Sequence, residues 1–215
     1  MDIARVVEST PGDELFAMAI GVLSIPQVPT DALLVFPGMG EDWRIRHAIL
    51  EWRNPYRTAR FLMIAPVNSG EETYKSFDPG EWKILDGRRG LLLGVDSRTE
   101  NTKTQAVWVC KMIREHDIRS ISLFVSPYHL VRAYLTLLKQ MLLENIRIPI
   151  ISRPTPVSPS EIIPESKASA WQSIPGEAER IRKYQENGDV ATLAELEYYL
   201  AWLWNKPILV RVRLP

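Results

Sequence analysis

The sequence predicts a Rossmann-like α/β fold, a three-layer sandwich around a mainly parallel sheet of about five strands. Three observations predict it. Five short segments are near-continuous apolar runs, the pattern of strands covered on both faces. Helical periodicities lie between most of them. No gap between consecutive runs is short enough for a hairpin, so the connections must be crossovers, which give parallel strands between helix layers.

Taken in order, a helix over 13–23 precedes the first strand, 32–36 (ALLVF). The other strands are 60–65 (RFLMIA), 90–95 (GLLLGV), 120–125 (SISLFV) and 147–151 (RIPII). Ile45, Ile49 and Trp52 recur at helical spacing after the first strand, and Ala106, Val109, Cys110 and Ile113 after the third. Leu130, Ala133, Tyr134, Leu137, Leu138 and Met141 do so after the fourth. Between them, 67–89 carries Pro79-Gly80 and Gly87 and shows little periodicity, so it reads as a loop or irregular insertion.

Beyond the fifth strand the character changes. Residues 152–169 are rich in Pro and Ser, as in a linker or an ordered loop. Pro175 and Gly176 open a helix near Glu177, and Asn187-Gly188 closes it with a left-handed cap. Thr192 and Glu195 have capping-box spacing and open a second helix with a Leu193, Leu196, Leu200 and Leu203 stripe, ended by Pro207. The tail 208–214 alternates apolar and polar residues, which predicts an edge strand. The expected organisation is a Rossmann-like domain over 1–155 and a helical extension over 156–215 packed on it.

Composition excludes several classes. Twenty-six basic and 26 acidic residues cancel, so no overall field points to nucleic acid or an anionic membrane. The single cysteine, Cys110, rules out an internal disulfide framework and a thiolate metal cluster, and its apolar helical setting suggests a buried inert thiol. No His, Asp or Glu spacing suggests a metal site. The first residues carry no basic stretch before an apolar run, and no run approaches the ~20 residues that span a bilayer, so a cytoplasmic protein without a membrane segment is expected.

In an open parallel sheet, ligands bind beyond the carboxyl ends of the strands. The first strand is followed there by Gly38, Gly40 and Glu41, then by a helix with Arg44 and Arg46. The second is followed by Ser69 and Gly70, the third by Asp96, Ser97, Asn101 and Thr102. After the fourth come Ser126, Pro127, Tyr128 and His129 with Arg132 one turn on, and after the fifth Ser152 and Arg153. The two early glycines either let backbone amides approach a phosphate or only make a tight turn. No GKS or GKT sequence occurs, which argues against a P-loop hydrolase.

The stretches VSPYHLVRA (125–133) and DSRTENTKTQA (96–106) resemble motifs of the ElyC/SanA/YdcF family of α/β proteins. The resemblance covers about 31–154 and includes the first strand with its glycine turn and the second strand running into Ser69-Gly70. Thr104-Gln105 stands where that family usually has Glu-Asn, and the first turn is Pro-Gly-Met-Gly instead of a glycine run. The resemblance implies a ligand site at the strand ends. It also implies S-adenosylmethionine as one candidate ligand, since some soluble relatives are described as binding it.

The expected function is therefore binding of a small anionic ligand, phosphorylated or nucleotide-like, with phosphoryl or pyrophosphate hydrolysis or group transfer as the reaction to test. Gly38, Gly40, Ser69 and Gly70 would present amides or a hydroxyl, and Ser97, Asn101, Thr102 and Ser126 would orient the ligand. Arg132, helped by Arg46 and Arg153, would neutralise its charge through forked hydrogen bonds. His129 would move the proton. The alternative is a non-catalytic metabolite sensor or interaction module. In it, part of the aromatic set Tyr198, Tyr199, Trp202 and Trp204 would face a partner, giving a homo-oligomer, instead of packing entirely in the core.

Overall fold

The computed structural model describes residues 10–54, 59–67, 90–94 and 101–210. Its sheet consists of β1 (Ala32–Val35), β2 (Phe61–Ile64), β3 (Gly90–Leu93), β4 (Ile121–Val125) and β5 (Ile150–Pro154) in the order β3-β2-β1-β4-β5. Every neighbouring pair is parallel, with Ala32 in register with Phe61 on one side and Ile121 on the other. The fold is the expected three-layer α/β sandwich.

Strand alternation sorts the core into two halves. Leu33, Val35, Leu62, Ile64 and Phe124 face Ile45, Ala48, Ile49 and Trp52 of α2 (Asp42–Arg53). Ala32, Leu34, Met63, Leu123 and Val125 face the other way, into a larger core with α3 (Thr102–Glu115) and α4 (Pro127–Leu143). Cys110 lies in this second core, where burial pushes its thiol up to about 12, so it is an inert packing group. From β1 the chain builds outward through β2 to β3, then returns to lay β4 on the opposite side of β1. That reversal puts the topological switch point between the carboxyl ends of β1 and β4.

The remaining helices are α1 (Pro11–Leu23), α5 (Ala170–Glu186), α6 (Leu193–Leu203) and the short α7 (Pro207–Val210). Helix α1 packs on α4 and α6, and α5 packs on α4, so the C-terminal helices share the larger core. Thr192 and Glu195 form the expected capping box of α6, and Gly188 takes φ 73° just after α5.

Beyond shifts of one or two residues at element ends, three features differ from expectation. Strand β5 starts at Ile150, three residues late, because Pro149 has no N–H for the ladder. Instead Tyr199 Oη accepts from Ile150 N (2.7 Å) and donates to Ile148 O (2.8 Å), which fixes where the strand begins. Helix α5 starts at Ala170 on a Ser169/Gln172 capping box, so Pro175 and Gly176 lie inside it instead of opening it. The expected C-terminal edge strand is not formed over 207–210, which is helical, while 211–214 lie outside the described residues. Pro207 favours a helical first position, and the outer edge of β5 is already taken. Gln27 donates to Ser152 O (2.5 Å) and Ser152 Oγ to Val22 O (2.7 Å). Most of the 67–89 insertion also lies outside the described residues, of which no helix is long and apolar enough to cross a membrane.

Candidate functional site

Two buried ionic clusters lie at the carboxyl ends of the strands, both anchored on the segment that follows β4. The first fills the switch point. Gly40 takes φ 73°, a conformation that favours glycine, and Glu41 N donates to Gly38 O (3.1 Å), so the turn folds the Glu41 side chain inward. A Cβ on Gly38 would overlap the Glu41 carboxylate, with its Cδ at 2.7 Å. Glu41 Oε1 accepts from Arg44 Nη2 (2.5 Å) and Tyr128 Oη (2.7 Å). Its Oε2 accepts from Ser126 Oγ (2.7 Å) and Arg44 Nε (3.1 Å). Arg44 also donates to Phe36 O (3.0 Å), and Trp43 Nε1 donates to Ser126 Oγ (3.1 Å). Glu41 and Arg44 are each only 2% exposed and Ser126 is fully buried, so this cluster is a closed internal tie.

The second cluster joins three helices. His129, in the first turn of α4, and Arg132, one turn on, point to the same place, because residues three apart share a helix face. Glu177 arrives there from α5. Its Oε2 accepts from Arg132 Nε (2.5 Å), and its Oε1 from Arg132 Nη2 (3.2 Å) and Arg180 Nη1 (2.7 Å). His129 Nδ1 lies 3.0 Å from Glu177 Oε2 and 2.9 Å from Arg132 Nη2. One nitrogen cannot serve both: protonated it donates to Glu177, unprotonated it accepts from Arg132. Arg132 Nη1 donates to Thr102 Oγ1 (3.3 Å) at the first position of α3.

Electrostatics follows the packing. Burial, reinforced by the Arg132 charge, pulls His129 down to about 4 against the opposing pull of Glu177, so the imidazole is neutral near pH 7. Burial alone would push Glu177 up, but His129 and Arg132 overcome it and hold the carboxyl well below the usual range. Burial also raises the Tyr128 phenol, which therefore stays protonated and donates to Glu41.

The sequence-predicted residues thus separate. His129, Arg132 and Thr102 meet in the second cluster, whereas Ser126 and the Gly38–Gly40 turn belong to the first. Asn101 caps α3, its Oδ1 accepting from Thr104 N (3.0 Å). Gln105 donates to Pro66 O (3.0 Å) and ties α3 to the end of β2. Arg46 pairs with Asp42 on the exposed side of α2, and Arg153 reaches Val28 O (3.4 Å) beside β5; neither joins a cluster. Ser69, Gly70 and Ser97 lie outside the described residues.

Glu41, Arg44, Glu177 and Arg180 were not assigned a role from the sequence. The signal available was the i, i+3 acid–base spacing of Glu41/Arg44 and Glu177/Arg180, matched by His129/Arg132. Among the described residues no group of His, Cys, Asp and Glu could hold a metal ion. A cavity of about 470 Å³ lies at the other end of the sheet, lined by Thr30, Asp31, Arg60 and Arg119 among others. Asp31 there pairs with Arg60 (2.8 Å) and accepts from Arg119 N (3.0 Å), and the cavity lies at the amino ends of the strands, opposite the end where open parallel sheets bind ligands. The chain matches no model of a known protein family and none of the curated proteins.

Proposed function

We propose that this chain binds a small anionic ligand, phosphorylated or nucleotide-like, at the strand ends beside the switch point, with Arg132 as the principal cation and His129 as the proton donor or acceptor. The observation that carries the reading is the second cluster. Arg132 meets the Glu177 carboxylate beside a neutral imidazole at a mostly buried position, and Arg180, half exposed and also facing Glu165, joins the same carboxylate from the rim. An anion is the ligand class that two guanidinium groups next to a neutral proton carrier suit by their forked hydrogen-bond geometry. The likeness of 125–133 to the ElyC/SanA/YdcF motif supports the same location.

Phosphoryl or pyrophosphate hydrolysis, or group transfer, is the reaction class this set suits. A neutral His129 can take a proton from water or a hydroxyl at Nε2, for which no hydrogen-bond partner is found among the described residues, and return it to a leaving oxygen. S-adenosylmethionine is the alternative ligand, suggested by the family likeness.

A thermal-shift panel of inorganic phosphate, pyrophosphate, ATP, glucose 6-phosphate and S-adenosylmethionine tests the reading. A ligand at 100 times its Kd stabilises by about 2.7 kcal/mol, which for a chain of this size raises Tm by roughly 5–10 °C. No shift with any of the five at millimolar concentration would count decisively against an anion site. With a substrate found, His129→Gln should abolish turnover and leave affinity within several-fold; full activity removes the proton-transfer role.

A further inference from the structure

His129 Nδ1 stands between two groups that make opposite demands on it. Glu177 Oε2, 3.0 Å away, calls for a hydrogen there, and Arg132 Nη2, 2.9 Å away, calls for a lone pair. Which of them is served decides what the far side of the ring can do. In a neutral imidazole one ring nitrogen carries the hydrogen and the other the lone pair. A hydrogen on Nδ1 leaves Nε2 able to accept a proton, whereas a hydrogen on Nε2 leaves that atom able only to donate.

The bonding around the carboxylate separates the two cases. An ionised carboxyl has about four lone-pair sites. On Glu177, Oε1 receives Arg132 Nη2 (3.2 Å) and Arg180 Nη1 (2.7 Å), and Oε2 receives Arg132 Nε (2.5 Å). One site is left on Oε2, and among the described residues His129 Nδ1 is the group that reaches it. Arg132 has acceptors without the imidazole, since Nε and Nη2 hold Glu177 and Nη1 donates to Thr102 Oγ1 (3.3 Å). A bare Nδ1 would set two acceptors 3.0 Å apart on a carboxylate side chain only 6% exposed, a costly contact away from water. A hydrogen on Nδ1 does stand beside the Nη2 donor. The guanidinium, however, spreads its charge over three nitrogens while the carboxylate concentrates an equal charge on two oxygens, so the contact with Oε2 governs.

We propose, on the footing of the anion reading given above, that Glu177 is the positioning residue of His129: it accepts the Nδ1 hydrogen and so makes Nε2 the atom that takes a proton from the attacking water or hydroxyl. The packing suits a fixed partner. Glu177 lies one turn ahead of Ile181 on the same face of α5, and both are 4% exposed, so the core holds the carboxylate in place. His129 is held as firmly, in the first turn of α4 after Pro127, with its N–H on Ser126 O (3.0 Å). In the step itself the nucleophile's O–H bond breaks, the proton goes to Nε2, and the electron pair left on oxygen attacks phosphorus. The ring is then an imidazolium whose Nδ1–H still points at the Glu177 carboxylate, which offsets the new charge. As the bond from phosphorus to the leaving oxygen breaks, Nε2 returns the proton to that oxygen, and His129 ends as it began.

The experiment reads the tautomer directly and needs no ligand. Long-range ¹⁵N–¹H correlation spectra of the labelled full chain near pH 7 distinguish a ring nitrogen that carries hydrogen from a bare one. The chain has three histidines, and His129→Gln identifies which signals belong to His129. Wild type should show the hydrogen on Nδ1 and a bare Nε2. In Glu177→Gln the acceptor becomes a neutral amide, and a bond to an ionised acceptor is roughly twice as strong as one to a neutral acceptor. The tautomer ratio should therefore move about tenfold toward the Nε2–H form, with Arg132 donating to Nδ1. Unmoved His47 and His116 signals show that the variant keeps its fold. A wild-type ring with its hydrogen on Nε2 overturns the proposal by itself, whether or not the variant folds, and so does a folded Glu177→Gln that keeps the Nδ1 hydrogen. Either result leaves the anion site standing, because the panel of phosphorylated compounds is read separately. If no phosphorylated compound in that panel binds, the anion reading fails and takes the proton-accepting role of Nε2 with it, whatever the tautomer.

Discussion

The Glu41–Arg44 tie allows a quantitative test. In Glu41→Gln the side chain keeps its length and both heavy-atom branches, so packing around the glycine turn is conserved. What changes is charge. Arg44, 2% exposed, loses the carboxylate that receives its Nε and Nη2, and the new amide N–H₂ faces donors at one of the two positions. Its bond to Phe36 O persists but does not neutralise the guanidinium. Removing one partner of a buried ion pair costs about 3–5 kcal/mol, because the remaining charge is left without compensation. At ~2–4 °C per kcal/mol for a chain of this size, the melting temperature should fall by roughly 6–20 °C. Differential scanning calorimetry on wild type, Glu41→Gln, Arg44→Met and the double variant gives the coupling directly. The double variant should be less destabilised than the two single losses added together, since it buries no orphaned charge. Additive losses, or a Glu41→Gln loss under about 1 kcal/mol, would mean that the pair is not the buried tie described here.

Two shorter predictions follow from the same geometry. Gly38→Ala places a Cβ against the Glu41 carboxylate and 3.0 Å from Arg44 Cζ, so urea unfolding should show a loss of about 1–3 kcal/mol, and a neutral result would mean that the turn is roomier than the structure gives. For pH, the native His129 sits at about 4, below its unfolded value near 6.5, so in that window the unfolded chain holds a proton the native one lacks. Stability is then complete above about 6.5 and declines as pH falls toward 4, by up to about 1.4 kcal/mol per unit; His129→Gln should be the flatter of the two over that range in chemical denaturation, and equal slopes would remove His129 as the cause.

How far the sequence was legible depended on whether the interaction was local. The central strands β1, β2 and β4 were readable because they are buried on both faces, which turns burial into an apolar run, whereas β3 is apolar yet only half-buried. Where a single residue interrupted the rule, the boundary moved: Pro149 has no donor, so β5 began after it. The same residue type misled in α5, where Pro175 and Gly176 looked like a helix start. The Ser169/Gln172 capping box, six residues upstream of Pro175, nucleates the helix, and the packing of Ala170 and Ile181 carries it across the weak turn. His129 and Arg132 were found because they sit one turn apart behind a strand. Glu177 could not be paired with His129 from sequence, since 48 residues separate them and nothing in the intervening loop encodes the meeting.

The two clusters share a construction but differ in what they leave over, and that difference is why the proposed function is assigned to the second. Both draw on the segment after β4, Ser126 and Tyr128 serving the first and His129 and Arg132 the second. In the first, one carboxylate meets one guanidinium, the hydroxyls of Ser126 and Tyr128 fill the remaining positions, and the charges cancel. Such a cluster holds the β1 and β4 loops in one geometry but has nothing to offer a ligand. In the second, the half-exposed Arg180 joins Arg132 on the Glu177 carboxylate, and a neutral imidazole can serve only one of its two neighbours at Nδ1. The second cluster thus keeps a half-exposed cation and a proton that can change place, neither of which the first has. The closed tie at the switch point is therefore best understood as the rigid footing that keeps His129 and Arg132 in place beside the proposed site.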